Sequence, residues 1–188
     1  MGGNLSAVTN DRTTTSISIK WVIAGIGIIA LLIWVSPAVP ITLLGTFLVI
    51  IFGFFFATVS SRMVGLVGSS NNPVSGMAIA TLLFTTLILK LIGNDGGVGM
   101  HTAIAIGSII CIVAAISGDT SQDLKTGFLL GATPKYQQIG EFIGVIASSF
   151  TMGATLYLMD KVYGFGSKEI AAPQAMLMKM IVEGVMDN

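Results

Sequence analysis

The sequence predicts an all-α integral membrane protein: about five transmembrane helices, a polar helical segment between the fourth and fifth, and a C-terminal amphipathic helix. Three observations carry the prediction. Of 188 residues, 53% are hydrophobic and 10% charged, against about 25% charged in soluble domains, and the mean hydropathy is +0.89. The 41 residues between Lys20 and Arg62 contain no Asp, Glu, Lys, Arg or His, enough for two spans of about 20 residues. Further uncharged runs cover 63–89 and 142–159, and only His101 interrupts the stretch between Asp95 and Asp119. These runs are continuously apolar rather than alternating at period two, which favours helices over a β-barrel.

Residues 1–19 form a polar, Thr/Ser-rich segment without the basic start, short apolar core and cleavage site of a signal peptide. The transmembrane domain is expected over 20–188. Its first span, about 20–36, opens with Trp21 beside Lys20, an interfacial pair. The second, about 40–60, follows an uncharged SPAVP hairpin, and a loop over 61–76 leads to the third, about 75–93. The fourth occupies about 100–117 and the fifth about 138–159. In the fifth, Gly140, Gly144 and Ser148 stack at a spacing of four, a helix-packing face. After Pro173, Met176, Leu177, Met180, Ile181 and Gly184 fall on one helical face, with Lys179 and Glu183 opposite as an i,i+4 pair.

Basic residues near the span ends set the orientation. Arg12, Lys20, Arg62, Lys125 and Lys135 lie on the N-terminal side, against Lys90, Lys161 and Lys168 on the other. Five against three places the N-terminus in the cytoplasm of a multi-pass protein of the cell (inner) membrane. A net charge of zero says nothing about nucleic acid, but no basic cluster exists to bind it, so nucleic acid is not expected as a partner. One cysteine, Cys111, excludes an intrachain disulfide. His101 has no second ligand at metal spacing, and the ten methionines read as flexible packing rather than soft-metal handling. No metal site and no cofactor are expected.

The densest polar chemistry lies between two apolar runs, in 118-GDTSQDLKTGFLLGATPKYQQ-138. A carboxylate is disfavoured at a helix C-terminus, so Asp119 or Thr120 is expected to cap a new, short helix of about 121–131, ended by Pro134. That helix is too short to span; it either lies at the surface or enters the membrane as a re-entrant half-helix. The loop 65-GLVGSSNNP-73 repeats the grammar of 127-GFLLGATP-134, which points either to an internal repeat or to two ordinary turns.

The runs 55-FFATVSSRMVGLVGSSNNPVSGMAIATLL-83, 118-GDTSQDLKTGFLLGATPKYQQIGEFIG-144 and 172-APQAMLMKMIVEGV-185 resemble the oligopeptide transporter family, which includes the yellow-stripe-like carriers of metal chelates. The resemblance covers roughly 40–188 and is nearest to the prokaryotic branch. It implies proton-coupled secondary uptake of small peptides or of metal–peptide and metal-chelate complexes. Members of the family are much longer, with more than a dozen spans, and residues 1–19 resemble the polar loop preceding the matching helices. The chain is therefore expected to be part of a larger transporter fold, joined by its missing part or by further copies.

The residues support that reading in part. A proton-coupled carrier needs an ionisable group that water reaches and substrate senses, and Asp119, Asp123, Lys125 and Glu141 are the cluster available. Asp123 and Glu141 are the candidates for protonation. Asn71, Asn72, Thr120, Ser121, Gln122 and Gln138 offer hydroxyl or amide contacts to a peptide backbone. A non-transporting membrane subunit packed against a partner is the alternative. An enzyme is not expected, because the sequence has no His-rich metal box, no phosphate cradle and a single histidine.

Overall fold

A computed structural model describes residues 12–37, 39–94 and 96–187. Most of the expected N-terminal segment, residues 1–11, lies outside them. Six α-helices follow a 3-10 turn at Arg12–Thr14: α1 Ile19–Val35, α2 Leu43–Val67, α3 Val74–Leu91, α4 Gly97–Leu130, α5 Pro134–Tyr163 and α6 Pro173–Met186. The five expected spans correspond to α1–α5, each belonging to a segment long and apolar enough to cross a membrane.

α4 is the axis of the packing, with α2 and α3 against it and α6 laid on α3 and α4. Its buried positions include Gly99, Ala103, Gly107, Ala114 and Gly118, small residues on one stripe. Lipid supplies no hydrophobic drive between helices, so close backbone approach and hydrogen bonds hold them together. At Gly107 the approach is tight: a Cβ there would meet Leu82 Cδ2 at 2.7 Å. One core joins Ile41, Val49 and Phe56 to Met77, Ile106, Ile110 and Ala114. A second joins Leu82, Leu89 and Ala103 to Val182 and Met186. The buried hydroxyls of Thr81 and Thr86 donate to the carbonyls of Met77 and Leu82 four residues back, the usual way a helix hides a hydroxyl. Thr102 reaches across to the Pro40 carbonyl at 2.5 Å, tying the α1–α2 turn to α4.

The structure corrects three expectations. The polar block does not start a new helix at Asp119; residues 118–130 continue α4 without a break. The expected cap rested on a helix C-terminus at Gly118, and no terminus exists there; Gly118 is instead a close-packed interior position whose missing side chain makes room for Asn72. The helix instead ends at Gly131, in the left-handed conformation (φ 73°). Ala132 N–H donates to the Gly127 carbonyl and Gly131 N–H to that of Phe128, a Schellman closure. Pro134 then opens α5.

The expected loop at 61–76 shrinks to residues 68–73, since α2 runs on to Val67. Lys125 from α4 donates to the Gly65 carbonyl at 2.5 Å, placing a cation at the negative end of the α2 dipole. In α6 the buried face carries Val182 and Met186, with Met178 beside them, while Met176 and Met180 are exposed. The 3.6-residue period left two apolar faces, and contact with α3 and α4 selects the other one. The Lys179–Glu183 pair forms as expected, at 3.5 Å. The Lys90 ammonium donates to the Val185 carbonyl at 2.8 Å, capping α6.

Candidate functional site

The last three turns of α4 make contacts on two sides. Toward α2, Ser121 donates to the Ser61 carbonyl at 2.8 Å, Lys125 to Gly65, and Gln122 Oε1 accepts from Ser69 N–H at 2.9 Å. Toward α5, Thr120 donates to Glu141 Oε2 at 2.9 Å, and Gln137 Nε2 donates to the Asp123 carbonyl at 3.1 Å. The helical period alone makes this division: 121 and 125 share one face, 120, 123 and 127 the other. α4 is 34 residues long, about 51 Å at 1.5 Å per residue, so its polar end extends past a hydrocarbon layer of about 30 Å.

Two clefts flank this end. The smaller, about 260 Å³, is lined by Asp119, Thr120, Asp123 and Glu141, with Gly144 and Ser148 of α5 on its far wall. Three carboxyl groups thus share one opening. Glu141 Oε1 is shielded from solvent and has no hydrogen-bond partner among the described residues. The larger cleft, about 460 Å³, lies between α2 and α4 and is lined by Thr58, Ser61, Arg62, Ser117, Thr120 and Ser121, with Phe54, Ala57 and Leu124 as its apolar part. Thr120 borders both.

One turn inward, Asn72 reads the same helix. Its Nδ2 donates to the Ala114 carbonyl at 3.2 Å, and its Oδ1 lies 3.1 Å from the Ser60 hydroxyl, which is also 2.5 Å from that carbonyl. The loop before α3 is thereby fixed to α4 beside the clefts.

The remaining expected residues separate. The Asn71 side chain donates to the Val67 carbonyl of its own turn. Gln138 Oε1 accepts from Ile17 N–H at 2.9 Å, and Lys135 N–H donates to the Thr15 carbonyl, so this end of α5 holds the N-terminal segment instead. Gly144 and Ser148 line the acidic cleft, whereas Gly140 is exposed with nothing within 4 Å of an added Cβ. From the sequence Arg62 served only as an orientation charge, and Ser60 and Ser61 carried no expectation. Their signal was the polar triplet Ser60–Ser61–Arg62 closing a 41-residue uncharged run. Among the described residues no group of three or more His, Cys, Asp or Glu side chains is arranged to hold a metal ion.

Residues 7–188 match the profile of a family described as OPT oligopeptide transporter protein. A protein of Haemophilus influenzae, provisionally named as an oligopeptide transporter, is 37% identical over 175 residues, covering 82% of this chain and 28% of its own length. A Saccharomyces cerevisiae protein with the same provisional naming is 33% identical over 88% of this chain and 22% of its own. An Oryza sativa protein, provisionally named as a metal-nicotianamine transporter, is 32% identical over 67% of this chain. The chain thus spans about a quarter of the length of the first two relatives. No solved structure matches it significantly. With the match running from residue 7 through every helix that builds the two clefts, the chain belongs to the OPT oligopeptide transporter family.

Proposed function

We propose that this chain forms part of a proton-coupled secondary transporter for small peptides or metal–peptide and metal-chelate complexes, working in the cell (inner) membrane with its N-terminal side in the cytoplasm. The observation that carries the reading is the acidic cleft, where Asp119, Asp123 and Glu141 surround one opening at the end of an apolar helix. Ionisable groups at the edge of a membrane span are costly and serve proton or substrate pathways. Family membership and the relatives' names support the transport class. Thr120 links Glu141 to α4, so a change in the charge of Glu141 would alter a contact between two spans. That coupling of charge to helix position is what a carrier requires.

The test is uptake of labelled dipeptides and iron chelates by cells expressing the reading frame that contains these residues. Asp123→Asn keeps the shape while removing the negative charge, and it is expected to abolish uptake driven by an imposed proton gradient. Unchanged gradient-driven uptake at normal expression would mark Asp123 as a plain surface carboxylate. A second reading, a non-transporting subunit, is favoured by α1 and α5, neither of which buries a residue. Membranes with no uptake in any variant, but with this chain co-purifying with an unrelated membrane protein, would support it.

A further inference from the structure

We propose that the two clefts beside Thr120 form one two-ended site for a zwitterionic ligand, with Arg62 receiving its carboxylate and the Asp119, Asp123 and Glu141 group receiving its ammonium. The proposal rests on the transporter reading and specifies how the ligand's two ends are held.

Four observations meet here. Arg62 lines the larger cleft and forms no ion pair among the described residues. A guanidinium presents a planar fork of donors that fits a carboxylate in two parallel bonds. Lys125, the other cation nearby, is already committed to the Gly65 carbonyl. The second cleft carries three carboxyl groups and one carboxyl oxygen, Glu141 Oε1, without a donor. Opposite charge thus lines the two clefts that Thr120 borders.

The wall between the charged ends is chemically matched to a short backbone. Thr58, Ser61, Ser117 and Ser121 each give their hydroxyl hydrogen to a main-chain carbonyl. What they present to the cleft is lone pairs, which accept from N–H groups. Phe54 and Leu124 add apolar surface for a side chain. A lone anion would use Arg62 only, and a lone cation only the carboxyl groups. A molecule with both ends uses the whole surface.

The experiment uses the full 188-residue chain in lipid nanodiscs, titrated with dialanine, dialanine C-terminal amide and N-acetyl-dialanine. Dialanine is expected to bind about 10-fold more tightly than either blocked form, as one charge-assisted pair is lost in each. Arg62→Gln should erase the preference for the free carboxylate and keep the preference for the free amine. Asp123→Asn with Glu141→Gln should do the reverse. Arg62→Lys, which keeps charge without the fork, should retain part of the carboxylate preference, and matching circular dichroism guards against misfolding. Equal affinity for acid and amide in the unaltered chain would overturn the proposal, as would no binding of any probe. Acetate competing with full effect while the amine is irrelevant would reduce it to a simple anion site and overturn it as well. Failure of the transporter reading looks different: cells expressing the frame would take up no dipeptide whatever residue stands at 62. Uptake by those cells without end-group discrimination in nanodiscs would sink the two-ended site alone.

Discussion

A carbonyl in a membrane helix ordinarily accepts from the amide four residues ahead. That of Ala114 also lies within reach of the hydroxyls of Ser60 and Ser117 and the amide of Asn72. Only Gly118, one turn on, leaves room for the Asn72 donor: an added Cβ would fall 2.6 Å from Asn72 Nδ2, 2.9 Å from Val64 Cγ2 and 3.0 Å from Ser60 Oγ. Gly118→Ala is therefore expected to displace Asn72 and destabilise the chain by about 1–3 kcal/mol, the usual cost of overpacking plus a lost buried hydrogen bond. Gly140→Ala is the control, since nothing stands within 4 Å of its new methyl, and it should change stability by no more than about 0.5 kcal/mol. Thermal unfolding of both variants in the same detergent checks the pair. An unchanged Gly118→Ala would show that Asn72 does not hold the loop. Asn72 was visible in the sequence as a polar residue before a proline; its partner Ser60 was not, because twelve residues and a turn separate them.

At the scale of elements, the spans were legible because a charge-free run of membrane length has few other readings, and α1, α3 and α5 begin or end within a few residues of expectation. The polar end of α4 was not. Local logic at Gly118–Asp119 favours a break, and only the contacts from α2 and α5 supply the side-chain partners that let one helix pass through. The two alternatives differ sharply in their tolerance of proline. At the first turn of a new helix proline is accepted, whereas in a helix interior it removes a hydrogen bond, clashes with the carbonyl four residues back and costs about 3 kcal/mol. Asp119→Pro is thus expected to lower the unfolding temperature and the helix content together; neutrality would restore the broken-helix reading. At the other end of the bundle the apolar stripe of α6 was read on the wrong face, since two faces carry methionine and the sequence does not say which meets α3. Lys90→Met removes the ammonium from the Val185 carbonyl and should loosen α6 by about 1–2 kcal/mol. Faster proteolysis after residue 173, with α2–α4 still protected, is the readout.

Across the whole molecule, packing is concentrated on α2, α3, α4 and α6, while α1 and α5 stand at its edge with no buried residue. The ends of α2 and α4 meet at the Lys125–Gly65 contact. Val98, near the start of α4, is 32 residues from Leu130 at its end, about 48 Å away along the helix. With Cys111 replaced by Ala, single cysteines at the exposed positions Leu66 and Leu129 should be labelled from one side of the membrane and one at Val98 from the other. Labelling of 98 and 129 from the same side would refute the crossing. The open faces bear on transport directly. α5 presents Ser148, Thr151 and Thr155 along an exposed surface, each hydroxyl bonded, among the described residues, to a carbonyl of its own helix. Lipid gains nothing from such groups, but a neighbouring helix or a water-lined path does. Secondary carriers commonly hold substrate between two bodies that rock against each other, and under the proposed function the bundle around α4 would be part of one such body. Reconstituted alone in liposomes, the chain is therefore expected to bind ligand without concentrating it under an imposed proton gradient. It should also cross-link through a cysteine at Gly144 to whatever helix completes the pathway in native membranes. Gradient-driven accumulation by the purified chain would instead mean that copies of it assemble the second body themselves.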